Sequence, residues 1–191
     1  MSKLFSHLEI LLMMIFLFTC EKSENPLTSI NTIDNPILFA RYYVNYAWGY
    51  KYSGWYVDSD GWIYEVDKNA EIKLGDIVQD TIYSAKMMID LLESSSKTNK
   101  QINKQLLYEM NKLIIPASEG ELSESVNVCY DSGASRYITF TRDHEVEGYR
   151  AILLLQAGDW AQNNLSLEAT QLFKLLREHV EGDTTQLLCS L

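Results

Sequence analysis

Ten aromatic residues fall within the 23 positions from Tyr42 to Tyr64. Tyrosine and tryptophan at this density favour extended strands, because their flat rings pack well on a pleated surface. The run is broken once, by Asp58-Ser59-Asp60-Gly61. Turn residues between two β-rich stretches predict a hairpin, with Gly61 free to take the positive φ of a tight tip. The segment therefore points to at least one antiparallel strand pair.

The rest of the sequence alternates between the two periodicities. Ile37 to Tyr46 is apolar and aromatic enough for a strand or a short helix. From Asp76 to Leu92, Val78, Ile82, Ala85, Met88, Ile89 and Leu92 form a 3.6-residue stripe, which predicts a helix capped by Asp76. A second helix is expected over Lys100 to Ile114, since Pro116 cannot continue it. Val126 to Tyr130, Tyr137 to Arg142 and Tyr149 to Leu155 read as strands, with Asp143 to Gly148 as a hairpin loop between the last two. Ser166 is placed to cap a final helix, Leu167 to Val180, and Gly182 to stop it. Strands, two helices, strands and a last helix predict an α+β fold: a mainly antiparallel sheet, two central helices and one C-terminal helix.

The chain has 191 residues, 47% hydrophobic and 22% charged, enough to bury a core in one domain. Its formal net charge of −10 disfavours phosphate backbones and anionic lipid head groups, so nucleic acid is excluded as an expected partner. Attachment to a membrane would need a covalent anchor or an apolar segment.

Residues 1–20 contain such a segment. Ile10 to Phe18 is uninterrupted and apolar, follows Lys3, and is shorter than the roughly 20 residues that span a bilayer. It ends in Leu17-Phe18-Thr19-Cys20, which resembles the lipobox of bacterial lipoproteins. Phe18 is bulkier than that pattern's usual residue, and Glu9 is unusual so close to the apolar core. The resemblance implies cleavage before Cys20 and acylation of its thiol, with a palmitate-type chain among the lipids. Two or three acyl chains hold a protein far more firmly than one, at about 0.8 kcal/mol per buried methylene. The expected organisation is therefore an export signal over 1–19, a lipidated and polar tether over 20–34, and one α+β domain over 35–191.

Three further motifs extend the resemblance: Asp58-Ser-Asp-Gly61 in the aromatic hairpin, Asp131-Ser-Gly-Ala-Ser135, and Gly158-Asp159 followed by Asn164-Leu-Ser-Leu-Glu-Ala169. Together they are similar to a set of uncharacterised secreted or lipidated bacterial proteins. That similarity implies an address and a fold, and assigns no site.

No catalytic or metal-binding constellation stands out. Asp58-Ser-Asp60-Gly61 begins like a calcium loop, but Trp62 and Asn69 occupy positions where carboxylates belong, so a turn is the better reading. His144 lies among carboxylates without HExxH or paired-cysteine spacing, and the other downstream histidine, His179, is on the final helix. Asp131-Ser132-Gly133 lacks the first glycine of a nucleophile elbow. No cofactor is expected. Cys129 and Cys189 remain as a candidate disulfide, with Cys129 as a plain buried hydrophobe the alternative. The aromatic cluster is either core or a contact surface, and Trp55, Trp62 and Tyr64 are its candidate binding residues. These observations lead to the expectation of a lipid-anchored protein of the bacterial cell envelope, non-catalytic, facing the periplasm or the cell surface. Its expected partners are an envelope protein, peptidoglycan or a glycan. The alternative is an envelope hydrolase gathering Asp131, Arg136 and His144 in one pocket.

Overall fold

The computed structural model describes residues 35–47, 49–66, 74, 80–183 and 189–190. The expected signal over 1–19, Cys20, the tether to residue 34, and the proposed helix cap Asp76 lie outside the described residues.

Among the described residues, nine antiparallel strands make one sheet. They are β1 (Ile37–Asn45), β2 (Lys51–Asp58), β3 (Trp62–Val66), β4 (Ile82–Tyr83), β5 (Ser95–Gln101), β6 (Val126–Asn127), β7 (Ala134–Asp143), β8 (Gly148–Gly158) and β9 (Trp160–Asn163). The order across the sheet is β5-β3-β2-β1-β7-β8-β9-β6, with β4 paired to β8. Four helices are described: α1 (Ala85–Glu93), α2 (Lys104–Lys112), α3 (Ile114–Ser118) and α4 (Leu167–Leu176), the last continued by a π-helical turn over Arg177–Glu181. The α+β class, the antiparallel sheet, the central helices and the C-terminal helix agree with the sequence reading.

The sheet is covered on both faces. Leu107 and Met110 of α2, Ile114 and Ala117 of α3, and Ala169, Leu172 and Leu176 of α4 pack with Phe39, Val57, Tyr137 and Leu154 on one face. Met88 and Leu91 of α1 pack with Leu74, Tyr42, Tyr56, Ile138 and Phe140 on the other. Two bulges enlarge the first core. In β1 the register moves between Ile37 and Phe39, and in β8 Leu154 is extra between Leu153 and Leu155. Each bulge places two consecutive residues, Leu38–Phe39 and Leu154–Leu155, on the same helix-covered face, which regular alternation forbids.

Several boundaries differ from the periodicity reading. The helix expected from Asp76 starts at Ala85, where the Ser84 hydroxyl accepts from the Met87 N–H at 3.2 Å. Ile82, assigned to its stripe, belongs to β4. The second helix starts at Lys104 and not at Lys100, because Asn103 supplies the cap at 2.9 Å. The residues before it, Ser95–Gln101, form an edge strand whose polar composition hides it from any hydrophobic pattern. Pro116 sits in the first turn of α3, where a missing N–H costs no helical bond. The strand expected over Val126 to Tyr130 is regular for two residues only. Between Gly158 and the cap at Ser166 lies a further strand, β9, which is absent from the sequence reading.

Asn164 joins three of these pieces. It is buried, its amide donates to the Ala117 carbonyl at 2.9 Å, and its Oδ1 accepts from the Ser166 N–H and hydroxyl at 3.0 and 2.9 Å. Ser166 in turn caps α4 through the Ala169 N–H.

The tyrosines inside the second core have a predictable alkaline behaviour. Burial pushes the Tyr56 hydroxyl up to about 12 and raises Tyr52 and Tyr83 further. A phenol whose folded-state pKa is raised contributes stability that is fully present below its unfolded value, near 10, and lost as pH climbs through the folded value. In a spectrophotometric titration, Tyr52, Tyr56 and Tyr83 are expected to ionise together with unfolding above pH ~11. Ionisation of all tyrosines in one step near pH 10 would contradict this burial.

Candidate contact surface at one end of the sheet

The aromatic rings divide between core and surface by strand parity. Trp55 lies on the face of β2 covered by α2, α3 and α4, is 7% exposed, and donates its indole N–H to Glu181 at 3.1 Å. Its assignment as a solvent-facing binding residue is corrected: position 55 shares a face with Val57 in the first core. Trp62 is half-buried beneath Lys97, whose ammonium sits 4.1 Å from the ring centroid. The Tyr64 hydroxyl donates to Asp58 Oδ2 at 3.1 Å; burial and then the Asp58 charge push that hydroxyl up to about 12. Both rings are thus engaged, Trp62 with β5 and Tyr64 within the hairpin. Asp58 Oδ1 accepts the Asp60 and Trp62 N–H groups at 2.9 and 2.8 Å, and Gly61 has φ +85°. The Asp-Ser-Asp-Gly motif is an aspartate-bonded turn.

Exposed rings gather elsewhere. At one end of the sheet lie the β1–β2 turn, the loop before β7, the β8–β9 turn and Cys189. Tyr46, Tyr50, Tyr130 and Trp160 there are 66, 54, 84 and 51% exposed. The Tyr46 and Tyr50 rings are 5.5 Å apart, and stacking continues through Tyr52 to buried Tyr42. Arg136 spans the base of this ladder, donating to the Tyr42 hydroxyl at 2.7 Å and to Gln156 at 2.6 Å. The surface rings therefore stand on a fixed interior.

The loop carrying Tyr130 is held from three sides. Asp159 accepts the Ser132 and Gly133 N–H groups at 2.7 and 3.3 Å, and its own N–H donates to the Gly133 carbonyl at 2.7 Å. Asn45 Nδ2 donates to the Asp131 carbonyl, and the Tyr43 hydroxyl to the Ser132 carbonyl. Cys129 and Cys189 form a disulfide across 60 residues, with Cα atoms 5.8 Å apart, and the Cys189 carbonyl accepts the Gly158 N–H at 3.0 Å. The pairing read as one alternative from the sequence is present.

Gly158 makes this packing feasible. It has φ +126°, and a Cβ there would meet the Gly133 carbonyl oxygen. Gly158→Ala is expected to cost about 3 kcal/mol through backbone strain plus the clash. Chemical denaturation checks this, and a loss below about 1 kcal/mol would show that the turn can relax.

The proposed catalytic trio is not assembled. Asp131 precedes β7 and His144 follows it, so ten strand residues, about 30 Å, lie between them. Arg136 is committed to Tyr42 and Gln156. His144 sits in an exposed hairpin whose backbone N–H groups at Glu145 and Val146 are held by Asp143. Among the described residues no three His, Cys, Asp or Glu side chains gather as metal ligands, and no helix is long and apolar enough to cross a membrane. A depression of about 200 Å³ lined by Asn35, Leu38, Ile114 and Phe140 lies at the other end of β1 and β7. It is smaller than the ~300–1,000 Å³ typical of ligand pockets.

No family model, curated protein or solved structure matches this chain. The chemistry of the site is therefore read from its own residues. Tyr130 and Trp160 are not among the residues expected from the sequence, because both lie outside the dense aromatic run from Tyr42 to Tyr64. An aromatic residue beside a turn motif, at a strand end, is the signal that was available.

Proposed function

We propose that this protein is a lipid-anchored binding module of the bacterial cell envelope, which engages a partner through the aromatic end of its sheet. The observation that carries the reading is the gathering of Tyr46, Tyr50, Tyr130 and Trp160, each at least half exposed, around a disulfide-held loop. Rigid aromatic rings bury large area at low entropic cost, and are enriched where proteins touch partners. The disulfide suits an oxidising compartment outside the cytoplasm. The lipobox-like ending at Cys20 supplies the anchor in this reading, and the polar residues 21–34 the reach.

Two experiments separate the parts. The mass of the mature N-terminal peptide from the native host is expected to show Cys20 as first residue with added acyl mass; an intact Met1 would remove the anchor. Replacing Tyr130 and Trp160 together by Ala is expected to abolish in-cell cross-links to the envelope partner while leaving the melting temperature nearly unchanged, since both side chains are exposed. Unchanged cross-links would remove the contact surface.

A further inference from the structure

The two outer strands of the sheet are built differently. At one side β5 carries Lys97 and Lys100, both exposed, in a wholly polar strand. Lysines on an edge discourage pairing with another chain, because a second strand would have to bury or crowd the charge. At the other side residues 121–128 run along β9 and the start of α4. Leu165 N–H donates to Glu121 at 2.8 Å, Ser123 N–H to Asn163 at 2.8 Å, and Val128 N–H to Asp159 at 3.1 Å. Val126 pairs with Ala161 and Asn127 with Trp160.

This register directs the backbone of Val126 and Val128 toward β9 and that of Asn127 outward. Among the described residues no strand pairs with the outer side of β6. Val126 and Val128 alternate along the paired stretch, so the two valines share a face as a short apolar row, 41 and 37% exposed, ahead of the exposed Tyr130. No lysine or arginine occurs from residue 113 to 135, whereas Glu119, Glu121, Glu124 and Asp131 do. The edge thus combines outward backbone groups, an apolar row and charge of one sign.

We infer that the β6 edge is a strand-addition site for an extended, basic segment of a partner protein, with apolar residues at alternate positions. Backbone hydrogen bonds to Asn127 would give binding, the valine row would select the alternating apolar side chains, and the glutamates would select their basic neighbours. A second copy of this chain is disfavoured, since antiparallel pairing of two such edges sets acidic residues against acidic residues. The inference rests on the reading of this end of the sheet as a contact surface and adds the class of partner.

The test uses the full-length chain in mild detergent with two synthetic peptides, acetyl-(Lys-Val)4-amide and acetyl-(Glu-Val)4-amide. Hydrogen exchange is expected to slow at 121–130 with the lysine peptide alone. Val126→Lys with Val128→Lys should weaken that binding at least tenfold, and Glu121→Gln with Glu124→Gln several-fold; unchanged thermal melts show that either pair still folds. Protection elsewhere, equal binding of the glutamate peptide, or concentration-dependent dimerisation through this edge would overturn the inference. Loss of in-cell cross-links in the Tyr130/Trp160 variant without peptide protection at 121–130 would retain the contact surface and remove strand addition. Peptide protection with unchanged cross-links would do the reverse.

Discussion

Replacing Cys129 and Cys189 by Ser, or reducing the pair, is expected to lower stability by about 4 kcal/mol. The bridge closes a 60-residue loop, and chain-entropy arguments assign a loop of that length roughly this much. The loop contains β7 to β9 and α4, so release enlarges the unfolded ensemble for a large part of the sheet. A local consequence accompanies the global one. The Cys189 carbonyl no longer holds the Gly158 N–H, and the loop bearing Tyr130 keeps only its Asp159, Asn45 and Tyr43 bonds. Denaturation with and without a dithiol reductant measures the first effect. Limited proteolysis near residues 128–133 reads the second. Equal stability in both redox states would mean that the bridge contributes nothing beyond covalent connection.

Glu181→Ala is expected to cost about 3 kcal/mol or more, because it leaves buried donors without their acceptor and a buried cation with one of its two carboxylates gone. The Glu181 carboxylate accepts from the Trp55 indole at 3.1 Å and from the Tyr137 hydroxyl at 3.0 Å. It also lies 3.2 Å from Arg177 and 3.7 Å from Arg41. Arg177 is itself buried, and Asp183 takes its second amine at 2.7 Å. Burial opposes the Arg177 charge, but Tyr137, Glu181 and Asp183 outweigh it and raise its pKa. This cluster pins the π-helical turn, and with it α4, to β1, β2 and β7. Glu181→Gln keeps an acceptor for Trp55 and Tyr137 but removes the charge, so it should lose less than Glu181→Ala. Equal losses for the two would show that charge, and not hydrogen bonding, dominates. Denaturant midpoints with unchanged m-values distinguish these results.

Helix ends and hairpins were legible in the sequence wherever one residue type has one strong use. Ser166 and Gly182 bound the last helix as read, with Gly182 at φ +68°. Gly61 turns the aromatic hairpin, and the loop after Asp143 joins β7 to β8. What was hidden depends on partners distant in the chain. β5 is polar because it is an edge, so it carries no alternating hydrophobic pattern. Ile82 fits a helical stripe by spacing, yet pairs with Arg150 in the sheet. The site was hidden for a related reason. Parity decides that Trp55 enters the first core with Val57, and which parity of β2 faces that core is set by its partners in the sheet and not by local sequence. Tyr130 and Trp160 come to the same end of the sheet as Tyr46 and Tyr50 only when β1, β7, β8 and β9 align their ends.

The central claim, that the aromatic end is the contact surface, is tested most directly by placing a photo-cross-linking amino acid at position 130 or at position 146 in the native host. Val146 is also exposed, at 58%, but sits in the β7–β8 hairpin at the opposite end of the sheet. The account predicts a discrete cross-linked partner from position 130 and none from position 146. Cross-links from 146 alone, or equally from both, would contradict it.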